Sequence, residues 1–183
     1  MIINIRDASP SDCIAIAALH AANWRQYYRG IYSDYFLDNE VEQERLAVWQ
    51  QRFSAPTANQ QVIVATAGDV VLGFACLFLD EDLFWGSLLD NLHVSGLAQQ
   101  LGIGKRLLQE CAASILHNTK NKKLYLWVYQ ANEAARRVYE HLGASHVATE
   151  EQVTKYGVRA IACRYAWMDV TSLAALKTAQ PNG

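Results

Sequence analysis

The sequence contains no apolar stretch of membrane-spanning length, no C-x-x-C pair and no excess of positive charge. A helix that crosses a bilayer needs about 20 mostly apolar residues, and a nucleic-acid binder is typically basic, whereas this chain has a formal net charge of -2. It also lacks the spacing of metal ligands and any Ser/His/Asp or Cys/His pattern of nucleophilic catalysis. We therefore expect a cytoplasmic protein with no membrane, nucleic-acid or metal partner.

The composition suits one domain. The chain has 183 residues, of which 51% are hydrophobic and 19% charged, enough for a substantial core. We predict this domain over residues 1–168, followed by a tail at residues 169–183. Four widely spaced cysteines in apolar surroundings are expected to be reduced core thiols: Cys13, Cys76, Cys111 and Cys163.

Apolar periodicity predicts a mixed α/β order of elements. A short strand at Ile3 and Ile5 precedes a helix cap at residues 9–12. Further along, the pattern predicts a second helix, a hairpin that turns at Gly68 and Asp69, two strand–helix units and closing strands near residues 145–153 and 158–168. For the first helix, the expected apolar face is Ile14, Ala17, Ala18, Ala21 and Trp24.

Residues 88–108, LLDNLHVSGLAQQLGIGKRLL, indicate a site for phosphate. An apolar strand ends at Val94, and from Ile103 onward apolar residues recur every fourth position as one helix face. The first turn of a helix has unpaired N–H groups and partial positive charge, so it attracts anions. The helix start also has two glycines that permit close approach and two cations: Gly102, Gly104, Lys105 and Arg106.

Two common phosphate loops do not match this stretch. A Walker loop that ends at Lys105 needs glycine at position 99 and Ser or Thr at position 106, where the chain has Gln99 and Arg106. A dinucleotide-binding loop needs a third glycine at Leu107. The spacing Gln99-x-x-Gly102-x-Gly104 after a strand instead resembles the pyrophosphate loop of GNAT-type N-acetyltransferases, with Gln99 in place of a frequent arginine.

A second pattern supports the same resemblance. Asn132, Ala135 and Tyr139 lie over about two turns of a predicted helix that stops at Gly143. This spacing resembles the second coenzyme A motif of the GNAT family, and the two patterns occur in the family's order. The resemblance implies an α/β fold with a mixed, mostly antiparallel twisted sheet flanked by helices and a splayed central pair of parallel strands.

The resemblance also implies acetyl-CoA as co-substrate and names its binding residues. The backbone of the loop would bind the pyrophosphate through Gln99, Gln100, Leu101, Gly102, Ile103, Gly104 and Lys105. The strand residues Leu92, His93 and Val94 would pair with the pantetheine arm, as a ligand can replace a missing sheet partner. Asn132 would help to fix the pantetheine or the thioester.

For the chemistry, acetyl transfer needs an acid for the departing thiolate and a base for the amine. Tyr139 is the candidate acid, because a phenol stays protonated at neutral pH. Asp90 is the candidate base through water, and strict alternation gives it the same strand face as Leu88 and Leu92. The same alternation puts His93 on the opposite face. Alternative bases are His93, His20 and Glu81.

The amine acceptor is expected to bind at the aromatic segment, since the family's first helices commonly overhang the acceptor side. The candidates are Trp24, Tyr27, Tyr28, Tyr32 and Tyr35. Acidic residues could attract a cationic amine: Asp34, Asp38, Glu40, Glu81 and Asp82. A small amine, an amino-acid derivative and a peptide all remain open as acceptors, as does a homodimer through the closing strands. The alternative function is a catalytically silent acyl-CoA-binding module with a regulatory or partner-binding role.

Overall fold

The computed structural model describes residues 2–154 and 156–176. A capped 3-10 turn, Pro10–Asp12, precedes the first helix, and a second 3-10 turn, Gly96–Ala98, follows the fourth strand. In chain order the other elements are β1 (Asn4–Asp7), α1 (Cys13–Tyr27), α2 (Asp34–Asn39), α3 (Val41–Ser54), β2 (Gln60–Ala67), β3 (Val70–Asp82), β4 (Gly86–Val94), α4 (Ile103–Asn118), β5 (Leu124–Tyr129), α5 (Glu133–His141), β6 (Ser145–Val153), β7 (Arg159–Trp167) and α6 (Thr171–Ala174).

The strands form one seven-stranded sheet in the order β1-β2-β3-β4-β5-β7-β6. Every neighbouring pair is antiparallel except β4 and β5. This parallel pair is joined only at Ser87 with Leu124 and at Leu88 with Tyr125, after which the two strands separate. The predicted fold class, a mostly antiparallel sheet with a splayed central parallel pair, is therefore confirmed.

Helices cover both faces of the sheet. On one face α4 packs into the main core, whose fully buried residues include Leu107, Cys111 and Ile115. On the other face α1 and α3 pack around Trp49 and Phe74. All four cysteines are buried and unpaired, as expected. None of the helices in the described part of the chain is both long and apolar enough to cross a membrane.

The chain beyond residue 168 still contributes to the core. Val170 and Leu173 are buried in the main cluster beneath α4, and the Val170 N–H donates to the Lys122 carbonyl at 2.9 Å. The first part of the predicted tail, up to α6, is thus packed against the domain. Residues 177–183 lie outside the described residues.

The predicted apolar face of α1 is wrong in two positions. Ile14 and Ala18 are exposed, whereas Ile16 and His20 are buried together with Ala17. The buried stripe includes His20 and Asn23, and these polar residues make it less apolar in sequence than the predicted stripe. The cap itself is as predicted: Ser9 and Asp12 form a capping box.

A β-bulge at Asp90 overturns the predicted alternation in β4. Cys76 of β3 stands opposite Asn91, and the next residue, Leu77, stands opposite Leu89, so Asp90 has no partner on β3. A bulge adds one residue and reverses the alternation beyond it. Asp90 and His93 therefore lie on the same side of the sheet, towards α1 and α3, and the assignment of Asp90 to the face of Leu92 was wrong.

Gly86 sits where β4 first meets β5. Its φ of +80° is in the left-handed region, and an added Cβ would lie 2.6 Å from the Lys123 carbonyl oxygen. The next residue, Ser87, donates its N–H to that same carbonyl at 3.1 Å. The short parallel contact therefore requires a residue without a side chain.

We predict that Gly86→Ala lowers the free energy of unfolding by more than about 2 kcal/mol, because backbone strain adds to a clash with main-chain atoms. Gly68→Ala is the matched control: its φ is +56°, but an added Cβ meets nothing within 4 Å. It should cost only about 1 kcal/mol. Urea denaturation measures both, and equal costs would contradict the role of the close approach.

Candidate active site

A cleft of about 640 Å³ opens where β4 and β5 separate. It brings together most of the residues predicted for the cofactor and the chemistry. Those that line it are Asp90, Leu92, His93, Val94, Gln99, Gln100, Ile103, Gly104, Asn132 and Tyr139, with Trp24, Tyr27 and Tyr28 from α1 and its end. Leu101, Gly102 and Lys105 belong to the same loop but do not line the cleft, and neither does Tyr32.

The loop between β4 and α4 presents a row of unpaired amides. No backbone N–H from residue 99 to residue 104 donates a hydrogen bond to another backbone group within the described residues. Gln100 and Gly102 have φ values of +67° and +70°, so the chain turns sharply before α4 begins at Ile103. Consecutive amides of this kind at a helix N-terminus form a concave anion site. The predicted phosphate site thus has the expected backbone geometry, including a left-handed Gln100 that the sequence did not indicate.

The edge of β4 that faces β5 is open beyond Leu88. The Ser95 N–H donates to the Leu72 carbonyl at 2.8 Å, and antiparallel pairs alternate between bonded and non-bonded residues. His93 accordingly uses its main-chain groups on β3, while those of Leu92 and Val94 point towards the opening, where the Val94 carbonyl already accepts a bond from the Asn23 side chain. An extended ligand can pair with these two residues as an added strand would.

Asn132 lies at the N-terminus of α5 and Tyr139 lies in its last turn. Asn132 caps α5, because its Oδ1 accepts the Ala135 N–H at 3.2 Å. The Tyr139 ring packs near Tyr165 and Trp167, and its hydroxyl has no hydrogen-bond partner among the residues that the structure describes. Burial raises the pKa of Tyr139 to about 12, so its proton remains in place at neutral pH.

The imidazole of His93 is held in one tautomer. The Asn23 amide Nδ2 lies 3.2 Å from both the Val94 carbonyl and His93 Nδ1. Since the carbonyl can only accept, this nitrogen donates to both, and Nδ1 of His93 is an acceptor. Burial, with a contribution from Arg45, lowers the pKa of His93 to about 3. A neutral ring whose accepting nitrogen is already occupied is a poor base.

The other candidate bases differ in position. His20 is buried, and its Nδ1 accepts the Trp49 indole N–H at 3.0 Å. Burial lowers the pKa of His20 well below its usual value, and the electrostatic interaction with His93 acts in the same direction. Glu81 accepts a bond from Asn59 at 2.8 Å and does not line the cleft. Asp90 does line it, and Arg52 holds one of its oxygens at 2.7 Å.

Tyr32 was predicted to line the acceptor site, but it does not line the cleft. Its side chain is buried, its hydroxyl lies 3.0 Å from that of Tyr129, and its ring stacks on Trp24. Tyr32 therefore packs against Trp24 without lining the cleft itself. Tyr27 contributes differently: its hydroxyl accepts a bond from the Gln99 side chain at 2.7 Å, which joins the end of α1 to the phosphate loop.

The acidic residues expected to attract an amine lie elsewhere. Asp34 and Asp38 both pair with Arg29, and Asp82 accepts the N–H groups of Phe84 and Trp85 in a turn. Glu40 and Glu81 also lie outside the cleft lining. No acidic residue other than Asp90 lines the cleft within the described chain, so none of these five is part of its wall.

Several residues that line the cleft were not predicted. They are Asn23, Arg45, Arg52, Asn91, Trp127, Tyr129 and Gln152. Arg45 and Arg52 lie seven residues apart in α3, on the helix face that Trp49 marks as buried. Their spacing from Trp49 was the available signal, but helical spacing alone does not show that a face meets a cleft.

Comparison with known proteins identifies relatives of this chain. The sequence model of the Acetyltransferase (GNAT) family matches residues 17–144. The chain is 30% identical to the Probable N-acetyltransferase Rv2775 of Mycobacterium tuberculosis over 138 residues, 75% of this chain and 77% of that protein.

Solved structures share the fold. Structure comparison with yncA of Salmonella typhimurium, solved with its cofactor acetyl-CoA, gives a TM-score of 0.64 at 21% identity, covering 98% of each chain. The PaiA N-acetyltransferase of Thermoplasma acidophilum, solved with coenzyme A, gives a TM-score of 0.64 at 21% identity, covering 88% of this chain and 98% of that one.

We predict that His93 is still neutral at pH 5, with its proton on Nε2, because Asn23 occupies Nδ1. Long-range ¹H–¹⁵N NMR correlation reads the state of each ring nitrogen. The free energy of unfolding should fall as the pH drops below about 6.5. Below that pH His93 binds a proton in the unfolded chain, whereas in the folded protein it stays neutral down to about pH 3. Asn23→Leu should relax the tautomer of His93 and leave that of His20 unchanged; a protonated His93 at pH 6 would contradict the account.

Proposed function

The chain belongs to the GNAT acetyltransferase family, and from that premise we propose that it moves an acetyl group from acetyl-CoA to a primary amine by direct attack in a ternary complex. One observation carries the proposal: an open strand edge leads directly into a loop of unpaired amides at a helix N-terminus. That combination suits a long thioester that ends in a diphosphate. The solved relatives with acetyl-CoA and coenzyme A support the choice of donor.

The binding roles follow from the geometry of the loop and the strand. The amides of residues 99–105 bind the pyrophosphate, with the partial charge of the α4 N-terminus behind them. Leu92 and Val94 pair their open main-chain groups with the pantetheine arm. Asn132 lines the thioester end while it caps α5.

The reacting groups then have separate roles. The amine must lose a proton before it attacks the thioester carbonyl, and Asp90 receives that proton through water, with Arg52 fixing the carboxylate. The new carbon–nitrogen bond places negative charge on the carbonyl oxygen, which one of the open N–H groups at Leu92 and Val94 stabilises, while the remaining open groups pair with the pantetheine arm. As the carbon–sulfur bond breaks, Tyr139 donates its proton to the thiolate and recovers one from solvent.

Removal of the phenolic hydroxyl tests this assignment. Tyr139→Phe should lower kcat about 100-fold, because an acid in the transition state typically contributes that much. Affinity for coenzyme A should stay within about twofold, since the ring remains. Free-thiol release across an amine panel gives the rate, and calorimetry gives the affinity.

Tyr35→Phe is the matched control, because Tyr35 is 68% exposed and lies outside the cleft. Unchanged turnover in Tyr139→Phe would remove the acid role. Tight binding of coenzyme A by the wild type without thiol release from any amine would favour the alternative of a silent acyl-CoA-binding module.

A substitution in the loop tests the donor site. In Gly104→Leu the added Cβ meets only Val94, at 3.6 Å, so the domain should fold while the side chain enters the space for pyrophosphate. We expect coenzyme A affinity to fall more than about tenfold with an unchanged circular dichroism spectrum. Gly96→Leu is the control, since Gly96 lies outside the cleft and its Cβ would meet nothing within 4 Å. Equal affinities for both variants would count against the phosphate loop.

A further inference from the structure

The charged residues of the acceptor end are mainly basic. Among the described residues, Arg45 and Arg52 line the cleft beside the single carboxylate of Asp90. Arg52 is committed to its neighbours: Nη2 donates to Asp90 at 2.7 Å, and Nη1 donates to Asn91 at 2.8 Å. Arg52 thus forms an ion pair with one oxygen of Asp90 inside the protein. The remaining charge that faces the cleft is that of Arg45.

Arg45 is a buried guanidinium with one edge unpaired. Its side chain is 8% exposed, and Nε and Nη2 both donate to Glu44. Nη1 has no hydrogen-bond partner within residues 2–154 and 156–176. A guanidinium carries five N–H donors, so a bidentate pair with one carboxylate leaves an edge free for a second acceptor.

The guanidinium is also fixed in place. Its Cζ lies 4.1 Å from the centre of the Trp24 ring, and Tyr32 stacks on the same indole with ring centres 5.0 Å apart. Trp24 follows Asn23, whose amide bonds the Val94 carbonyl at the open edge of β4. One stretch of α1 therefore joins Arg45 to the strand where the acetyl group is expected. A rotamer held by stacking loses little entropy when it binds a ligand.

We propose that the acceptor carries a carboxylate, which Arg45 binds through Nη1, so that the substrate class is amino acids or peptides with a free carboxyl group. This inference rests on the proposed function and narrows its acceptor. A carboxylate matches a guanidinium edge in shape and single charge. A purely cationic amine finds no unpaired carboxylate there, because Arg52 already holds Asp90.

Binding can be tested separately from turnover. Calorimetry on the protein saturated with coenzyme A uses N-acetylglycine, N-acetylleucine and N-acetylphenylalanine, each beside its primary amide. The best carboxylate should bind at least about tenfold more tightly than its amide, the usual size of a hydrogen bond to a charged group. Arg45→Gln should reduce that ratio to near one and leave the affinity of the amide within about twofold.

Two further variants keep the result interpretable. In Arg45→Gln, the carboxylate of Glu44 loses its guanidinium partner. The double variant Glu44→Gln/Arg45→Gln removes this carboxylate as well, and its ratio of carboxylate to amide affinity should also be near one. Arg159→Gln changes an exposed arginine that pairs with Glu151 outside the cleft, and it should keep the wild-type ratio.

The outcomes separate this inference from the proposed function. A carboxylate preference that depends on Arg45, without thiol release from any amino acid, supports the subsite and overturns only the catalytic proposal. Thiol release that is equal for amino acids and their amides overturns the subsite and leaves the transferase. Three binding results would also overturn the subsite. They are equal affinity for acids and amides, no binding of either series at about 10 mM, and an Arg45→Gln variant that keeps the full preference for the carboxylate.

Discussion

The separation of β4 from β5 is the constraint on which the site depends. The two strands pair over only two residues, and beyond them the amides and carbonyls of Leu92 and Val94 have no strand partner. Unpaired main-chain groups inside a sheet are costly unless a ligand or water satisfies them. The bulge at Asp90 lies at the point of separation and bends β4 away from a regular pairing. The cleft is thus a gap in the sheet that is lined by main-chain groups without a strand partner.

Each wall of this gap has a different physical role. The loop before α4 presents peptide dipoles and unpaired amides at a helix N-terminus, and α5 presents a protonated phenol. The α1 wall supplies stacked aromatic rings, with Arg45 placed against Trp24. Burial keeps the titratable rings neutral: it raises the pKa of Tyr139 and lowers that of His93. In their neutral forms, the phenol of Tyr139 and the imidazole of His93 can each donate a hydrogen bond, and neither adds a charge to the cleft.

Local signals made much of the fold predictable. Glycine at the start of α4 and the Ser9–Asp12 box each depend on neighbouring residues, and each is found where it was expected. The loop and the second motif could be predicted because backbone geometry requires glycine and an N-cap at fixed spacing. Alternation in β4 failed at Asp90, because a bulge is set by pairing with β3 and has no mark in the sequence of β4 itself.

The acceptor wall was less predictable for a similar reason. An aromatic segment predicts that its side chains are largely buried. Only tertiary packing determines that Trp24 lines the cleft and that Tyr32 packs behind Trp24. Arg45 and Arg52 could not be predicted to line the cleft, because helical spacing does not reveal which neighbour a face meets. Their positions follow from the contact of α3 with β4 and α1, which is a property of the folded chain.

The central claim is that main-chain amides at the gap bind the donor. It is tested most directly by two-dimensional ¹H–¹⁵N NMR of the protein titrated with coenzyme A. The account predicts that the largest amide shifts fall on residues 99–105 and on Leu92 and Val94, with slowed hydrogen exchange at the same positions. Saturable binding that leaves these amides unshifted and exchanging as before would contradict it.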